Sequence, residues 1–394
     1  MSDIIELQNN EAGVPAEMQN ELRQVTDALL EDTEAEIAKR KTMSVPIGSL
    51  ASLGTAVSSL APALQTVING EGGSGFYYVN TKGLQMFQKN GTNWFIGALK
   101  NQAGLVGGGQ AQMAPVMFNP ETMMMAVALY SIEQKLDKIE EMQQQIIDFL
   151  LCENESGIEA DVQMLSGIIS KYKFNWDNEH YVASNHNLVL DIKRKSLKNM
   201  RSYQKQVTAM LEKKQLFVAQ NDVESALVDM QRKFKYYRMA LYTYSLASLL
   251  EIMLEGNFKE EYISTVKTEI EGFAMDYRGF FEKASMRLEQ LGNGAFDINL
   301  LKVLGEAGQA VGKIIGAVPG VRQDPVDEFL QEKGARLIDK ASDLEKKAVY
   351  EFAALGNPGT SVLTERMSDM IQIYNHTECI YFDRERIYLV GESA

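Results

Sequence analysis

Apolar positions in this chain recur mostly at three- and four-residue steps, the period that lines up one face of an α-helix. The clearest run is Leu129, Ile132, Leu136, Ile139, Met142, Ile146 and Phe149, with Lys135, Asp137, Lys138, Glu140 and Glu141 on the other faces, a coiled-coil-like pattern. It starts with Asn119 as N-cap, Pro120 at the first helical position and Glu121 in the first turn. A single helix of about 30 residues there would span about 45 Å. Further helices are predicted over Ile158–Tyr172, Ala183–Val218 and, after a cap at Asp222, along Val223, Leu227, Met230, Phe234, Tyr237 and Leu241. Met239–Leu250 carries no charge and reads as deeply buried; another helix is predicted over Lys259–Leu291. All eight prolines fall outside Glu121–Val318, which favours long uninterrupted helices.

Two regions depart from that period. Gly75–Gly97 alternates like a β-meander, with strands at Phe76–Val79, Leu84–Gln88 and Thr92–Ile96 separated by Asn80–Gly83 and Lys89–Gly91. At the other end, Cys379–Phe382 and Ile387–Val390 flank Asp383–Arg386 as a terminal hairpin. The expected fold is mainly α: an elongated bundle of long coiled-coil-like helices with a small β-meander insert and a C-terminal β-hairpin. The expected division is 1–70 (N-terminal helix plus charge-poor helix), 71–118 (β/Gly-rich insert), 119–294 (long-helix bundle), 295–378 (charge-poor helix and C-terminal helices) and 379–394 (hairpin).

Against that background, Ser44–Gly70 runs 27 residues without a charged side chain, where 23% of the whole chain is charged. Leu50, Leu53, Val57, Leu60 and Leu64 share one helical face, and Ser, Thr, Ala and Gly fill the other. Such a face hides against protein or enters a bilayer. Only nine of the 27 residues are Val, Ile or Leu, and Pro46 and Pro62 interrupt them, so it is not a constitutive span. A second charge-poor segment, Leu300–Val318, sets Gly308, Gly312 and Gly316 four residues apart, a ridge that admits another helix at close range. Each interior glycine costs a helix about 1 kcal/mol relative to alanine, so such a ridge implies close packing, a conformational change, or both.

Net charge is -14, from 53 acids and 39 bases, which disfavours nucleic acid as a partner. The best basic cluster is Lys193, Arg194, Lys195, Lys198 and Arg201, whose plainest reading is a solvated helix face. Cys152 and Cys379 build neither a disulfide framework nor a zinc pattern. Met1–Leu7, with Asp3 and Glu6, lacks the basic and apolar regions of a signal peptide, so the expected location is cytoplasmic as synthesised, with membrane association left open.

Catalytic clusters do not emerge. His180 and His186 point to different sides of a helix, and His376 near Cys379 is a pair without a third member. The acid pairs Glu140–Glu141 and Glu260–Glu261 fall on polar faces. Gly70–Gly75 and Gly104–Gly109 lack the strand–loop–helix frame of a phosphate loop and read as hinges. Neither a metal nor a cofactor is expected. Two places suit a protein partner: Met123, Met124 and Met125 at the head of the long helix, and the polar–aromatic group of Trp176, Tyr181 and His186. For both, ordinary packing is the plainer alternative.

Tyr172, Asn175, Trp176, Asn178 and Tyr181, followed by Asn185-His186 and Asp191-Ile192-Lys193, resemble a helical family of bacterial proteins without an established activity. The layout alone is similar to α-helical pore-forming toxins, with apolar segments and a small β-rich head on long helices. The expected function is that of a non-enzymatic bundle whose charge-poor helices engage membrane lipid after a conformational change and self-association. The alternative is a scaffold or partner-binding bundle with those helices as permanent core.

Overall fold

The computed structural model describes residues 42–68, 77–79, 87–88, 95–100, 106–113, 120–148, 156–212, 220–291, 352 and 355–391. The fold is mainly α. In chain order the elements are strand β1 (Thr42–Pro46), a 3-10 helix (Ile47–Leu53), α1 (Thr55–Ser58), α2 (Leu60–Ile68), β2 (Tyr77–Val79), β3 (Phe87–Gln88), β4 (Phe95–Lys100) and β5 (Val106–Met113). Then come α3 (Pro120–Glu133), α4 (Leu136–Asp148), α5 (Ser156–Asn175), α6 (Glu179–Glu212), α7 (Gln220–Glu255), α8 (Glu260–Leu291), α9 (Ser361–Asn375), β6 (Thr377–Phe382) and β7 (Arg386–Gly391).

Helix α7 is the axis of the bundle. At 36 residues it is about 54 Å long, and α4, α5, α6, α8 and α9 all pack against it. Every residue from Met239 to Leu250 is buried, as its missing charges predict. The hydroxyls in that stretch stay satisfied by bonding back four residues: Thr243 to the Met239 carbonyl (2.7 Å), Ser245 to Leu241 (2.8 Å) and Ser248 to Tyr244 (2.9 Å). Tyr203 stacks on Tyr236 while Lys193 pairs with Glu251, so α6 and α7 run antiparallel. One turn further in, the Phe234 ring sits edge-on to Tyr277, Phe281 and Phe352, with centroids 5.6–5.7 Å away. Gly256 ends α7 at φ +67°, the left-handed conformation that glycine takes at low cost. Asn375, the last residue of α9, caps α8: its Oδ1 accepts from the Glu260 N–H and its Nδ2 donates to the Phe258 carbonyl.

The long helix expected from Asn119 is two. Between α3 and α4 the ladder breaks, and the Lys135 N–H bonds to the Ile132 carbonyl in a tighter turn. The cause lies far along the chain. Arg366 on α9 donates through Nη1 to the Ser131 carbonyl (3.1 Å), the acceptor that Lys135 would use in an unbroken helix.

The terminal hairpin forms over Thr377–Phe382 and Arg386–Gly391. Asp383 closes its turn, with Oδ1 accepting the N–H groups of Glu385 and Arg386, both at 2.7 Å. It does not stand alone: an antiparallel sheet runs β1-β7-β6-β2, joining residues 42–46 and 77–79 to the chain's other end. Val45, Ile380, Phe382, Ile387, Leu389 and Val390 are among its buried members, and α3 packs against β1 and β7. The expected three-strand meander is thereby divided. Its first strand goes to this sheet, while β3, β4 and β5 form a second antiparallel sheet. Gly107, Gly108 and Gly109 lie inside β5 rather than in a hinge; Gly70–Gly75 lies outside the described residues.

Candidate functional site

The charge-poor stretch is not one helix. Pro46 ends β1, a 3-10 helix follows, and Gly54 turns the chain at φ +96° and ψ 167°, a conformation essentially restricted to glycine. A Cβ there would meet the Lys173 carbonyl oxygen at 2.0 Å, so the loop lies directly against the last turn of α5. Pro62 fits in the first turn of α2, where the N–H it lacks has no helical acceptor. The face read from the sequence survives the change of geometry. Leu50, Leu53, Val57 and Leu64 are fully buried and Leu60 is nearly so, in the same core as α3 and α7. Its N-terminal end is tied to the hairpin: the Ile47 N–H donates to the Glu385 carbonyl (2.7 Å), and Arg386 donates through Nε and Nη2 to Ser44 Oγ. Beside Gly54, Lys173 Nζ pairs with Glu133 Oε1 at 2.6 Å, linking α5 to α3.

Of the three methionines, Met123 and Met125 are buried and Met124 is half-buried. Tyr374 of α9 reaches the Met125 sulfur at 3.6 Å. Gly308, Gly312 and Gly316 lie outside the described residues.

The third candidate group sits at the corner between α5 and α6. Asn178 Oδ1 accepts the Tyr181 N–H (3.1 Å) and starts α6, while Asn175 Nδ2 bonds back to the Lys171 carbonyl. Trp176, Tyr181 and His186 are half-buried, and Asp177, Asn178, Glu179 and His180 between them are exposed. The Tyr181 hydroxyl donates to the Ile168 carbonyl at 3.2 Å, and Tyr172 donates to the Met253 carbonyl at 2.7 Å. Burial raises the phenol pKa of both, so neither serves as a base near neutrality. Trp176 Nε1 is shielded from water without an acceptor among the described residues. A buried donor left unmatched costs about 1–3 kcal/mol.

The basic cluster divides. Lys193 turns inward to Glu251 and over the Tyr244 ring, whereas Arg194, Lys195, Lys198 and Arg201 are exposed. Two of these pair with neighbours, Arg194 with Asp191 (3.0 Å) and Lys195 with Asp161 (3.6 Å). His376 meets Glu260 at 3.1 Å. Among the described residues no group of three His, Cys, Asp or Glu side chains could hold a metal ion. The polar cluster that sequence reasoning missed joins α3 to α9: Ser131 Oγ donates to Asp369 Oδ2, and Arg366 Nη1 lies 2.7 Å from Asp369 and 2.8 Å from Ser131 Oγ. The only local signal is the Arg366/Asp369 spacing on α9; Ser131 is 235 residues away from Arg366.

No helix among the described residues is long and apolar enough to cross a membrane. No family model, characterised protein or solved structure matches the chain.

Proposed function

We propose that this protein is a non-enzymatic helical scaffold that acts by holding another protein, with residues 47–68 as a permanent part of its core. The observation that carries the reading is the burial of Leu50, Leu53, Val57, Leu60 and Leu64 together with the seat of Gly54 against the Lys173 carbonyl. Each fully buried Leu or Val contributes about 1.5–3 kcal/mol relative to exposure, so releasing five of them is costly without a partner that re-covers them. The surface offered to a partner is the α5–α6 corner, where Trp176 and Tyr181 sit half-buried beneath a polar, exposed turn. Aromatic groups ringed by polar ones are the usual anchors of protein interfaces.

Two arms test this. Hydrogen exchange of the full chain is measured with and without vesicles of mixed anionic and zwitterionic lipid. Unchanged protection at residues 47–68 and no flotation are expected; loss of protection with vesicle binding would replace the scaffold by the membrane-engaging reading. Affinity capture then compares the wild type with Trp176→Ala. A protein held by the former and lost from the latter is expected, and identical captures would remove the corner from the account.

A further inference from the structure

Acids outnumber bases in this chain by 53 to 39, yet helix α6 has no acid from Ile192 to Leu211. The same stretch holds the bases Lys193, Arg194, Lys195, Lys198, Arg201 and Lys205. Lys193 turns inward to Glu251, and Arg194 and Lys195 have carboxylates nearby. Lys198, Arg201 and Lys205 are exposed and meet no carboxylate among the described residues. At 3.6 residues per turn, Arg194, Lys198, Arg201 and Lys205 fall within an arc of about 60°. That arc lies opposite the buried Val189, Ser196, Tyr203 and Val207, so the four form a ridge about 17 Å long on the outer side. Alongside, at the level of Tyr236, α7 adds Arg232, Lys233 and Lys235 and has no acid from Met230 to Leu250.

Neighbours along the ridge stand at i,i+3 or i,i+4, the spacing at which like charges weaken a helix. A covering anion would remove that cost. Residues 1–38 supply one: they hold ten acids and a single base, Arg23, a charge of -9 out of the chain's -14.

We infer that the acidic segment 1–38 docks across the basic ridge of α6 in the same molecule. The ridge itself favours a tethered occupant over a separate protein. Every exposed residue from Arg194 to Lys205 is a base, apart from Ser202, so the face has no apolar centre for a free partner to desolvate. A tethered segment needs none. Its effective concentration is about millimolar, so pairing too weak to hold a free protein is still populated. The tether is also long enough. The path from Thr42 through Gly54 and Lys173, then along α6 to Lys205, is under about 100 Å, whereas residues 1–41 extended span about 135 Å. The net charge of -14 works against nucleic acid or anionic lipid at the same place. Exposed ion pairs are screened, so the docking weakens with salt. This inference goes beyond the scaffold reading and does not depend on it.

Single-molecule energy transfer in the full chain tests it. In a background with Cys152→Ser and Cys379→Ser, dyes are attached through Asn9→Cys and Ala209→Cys, the latter an exposed site one turn past Lys205. High transfer is expected at about 0.01 M salt, with its loss near 1 M, where the screening length is about 3 Å. An undocked acidic segment does the opposite, because self-repulsion extends it at low salt. Lys198→Glu/Arg201→Glu/Lys205→Glu should abolish the low-salt transfer. The three sites are exposed, so its helical signal and thermal midpoint should stay near those of the wild type. Adding Glu11→Lys/Glu17→Lys/Glu21→Lys to that variant should restore transfer, and dyes carried on separate chains should give none. Transfer that rises with salt, survives the reversal, is not restored by the swap or appears between chains would each overturn the proposal. Vesicles of anionic lipid held by the wild type and not by the reversed variant would assign the ridge to lipid instead.

Discussion

Residues 44–68 and Met239–Leu250 both lack charge and both end in the core, yet they are built in opposite ways. Met239–Leu250 is one straight piece of α7, rich in Leu and Tyr, free of Gly and Pro, and surrounded by helices. The other stretch passes through a strand, a 3-10 helix and two short helices, and it turns at Gly54 where a methyl group would strike a neighbouring carbonyl. The first is held by its own helical ladder plus packing. Short helical pieces have no such reserve, so the second stays in place through packing and a few tertiary hydrogen bonds. Similar burial therefore hides two kinds of dependence, one on side-chain volume and one on backbone shape.

Truncation at the centre should have the largest effect. Phe234→Ala removes a fully buried ring that meets three others and should cost about 3–5 kcal/mol in urea unfolding. A loss below about 1 kcal/mol would mean that α7 is not the bundle's axis.

Gly54→Ala comes next, because it adds one methyl group to a glycine-only conformation and a 2.0 Å approach. About 2–3 kcal/mol of destabilisation is expected from the backbone conformation and displaced packing together. Gly167→Ala, at an open site with ordinary φ, should instead be neutral or stabilising by up to about 1 kcal/mol. Equal effects at the two glycines would erase the distinction drawn between shaped and open positions.

The smallest effect near neutrality is that of pH. Tyr172 and Tyr277 donate buried hydroxyls to carbonyls, and burial raises both phenols above the ordinary value of 10.0; Tyr388 at the hairpin is pushed up to about 12 by burial and by its bond to Asp383. A raised folded-state pKa means the native state holds its proton longer than the unfolded chain. This contribution is thus constant below pH 10.0 and is lost as pH climbs above it. The urea midpoint should show no tyrosine-linked change between about pH 7 and 9 and a fall above about 10. Phenolate absorbance at pH 10, with the fold intact, that is lowered by Tyr172→Phe or Tyr277→Phe would contradict the burial of these rings.

Much of the helical fold was legible because its information is local. Apolar spacing marked α5, α7 and α8, the basic stretch from Ala183 marked most of α6, and the missing charges marked the buried half of α7, although α7 begins at Gln220, ahead of the expected cap Asp222. Asn119 and Pro120 announced the start of α3 but not its end at Glu133, since Arg366, which takes the Ser131 carbonyl, lies far along the chain. Leu50, Leu53, Val57, Leu60 and Leu64 were legible as one face because three/four spacing survives when a 3-10 helix and two short helices replace a continuous one. That the strand at Tyr77–Val79 pairs with the terminal hairpin was not legible, because register between distant strands leaves no mark in either strand's own alternation.

Native-state hydrogen exchange tests the central claim most directly, by comparing residues 47–68 with Met239–Leu250 in the same molecule. If the charge-poor segment is permanent core, the slowest amides of both should open with the same free energy, that of global unfolding. Opening of residues 47–68 at several kcal/mol less, with α7 still protected, would show a detachable segment and contradict the account.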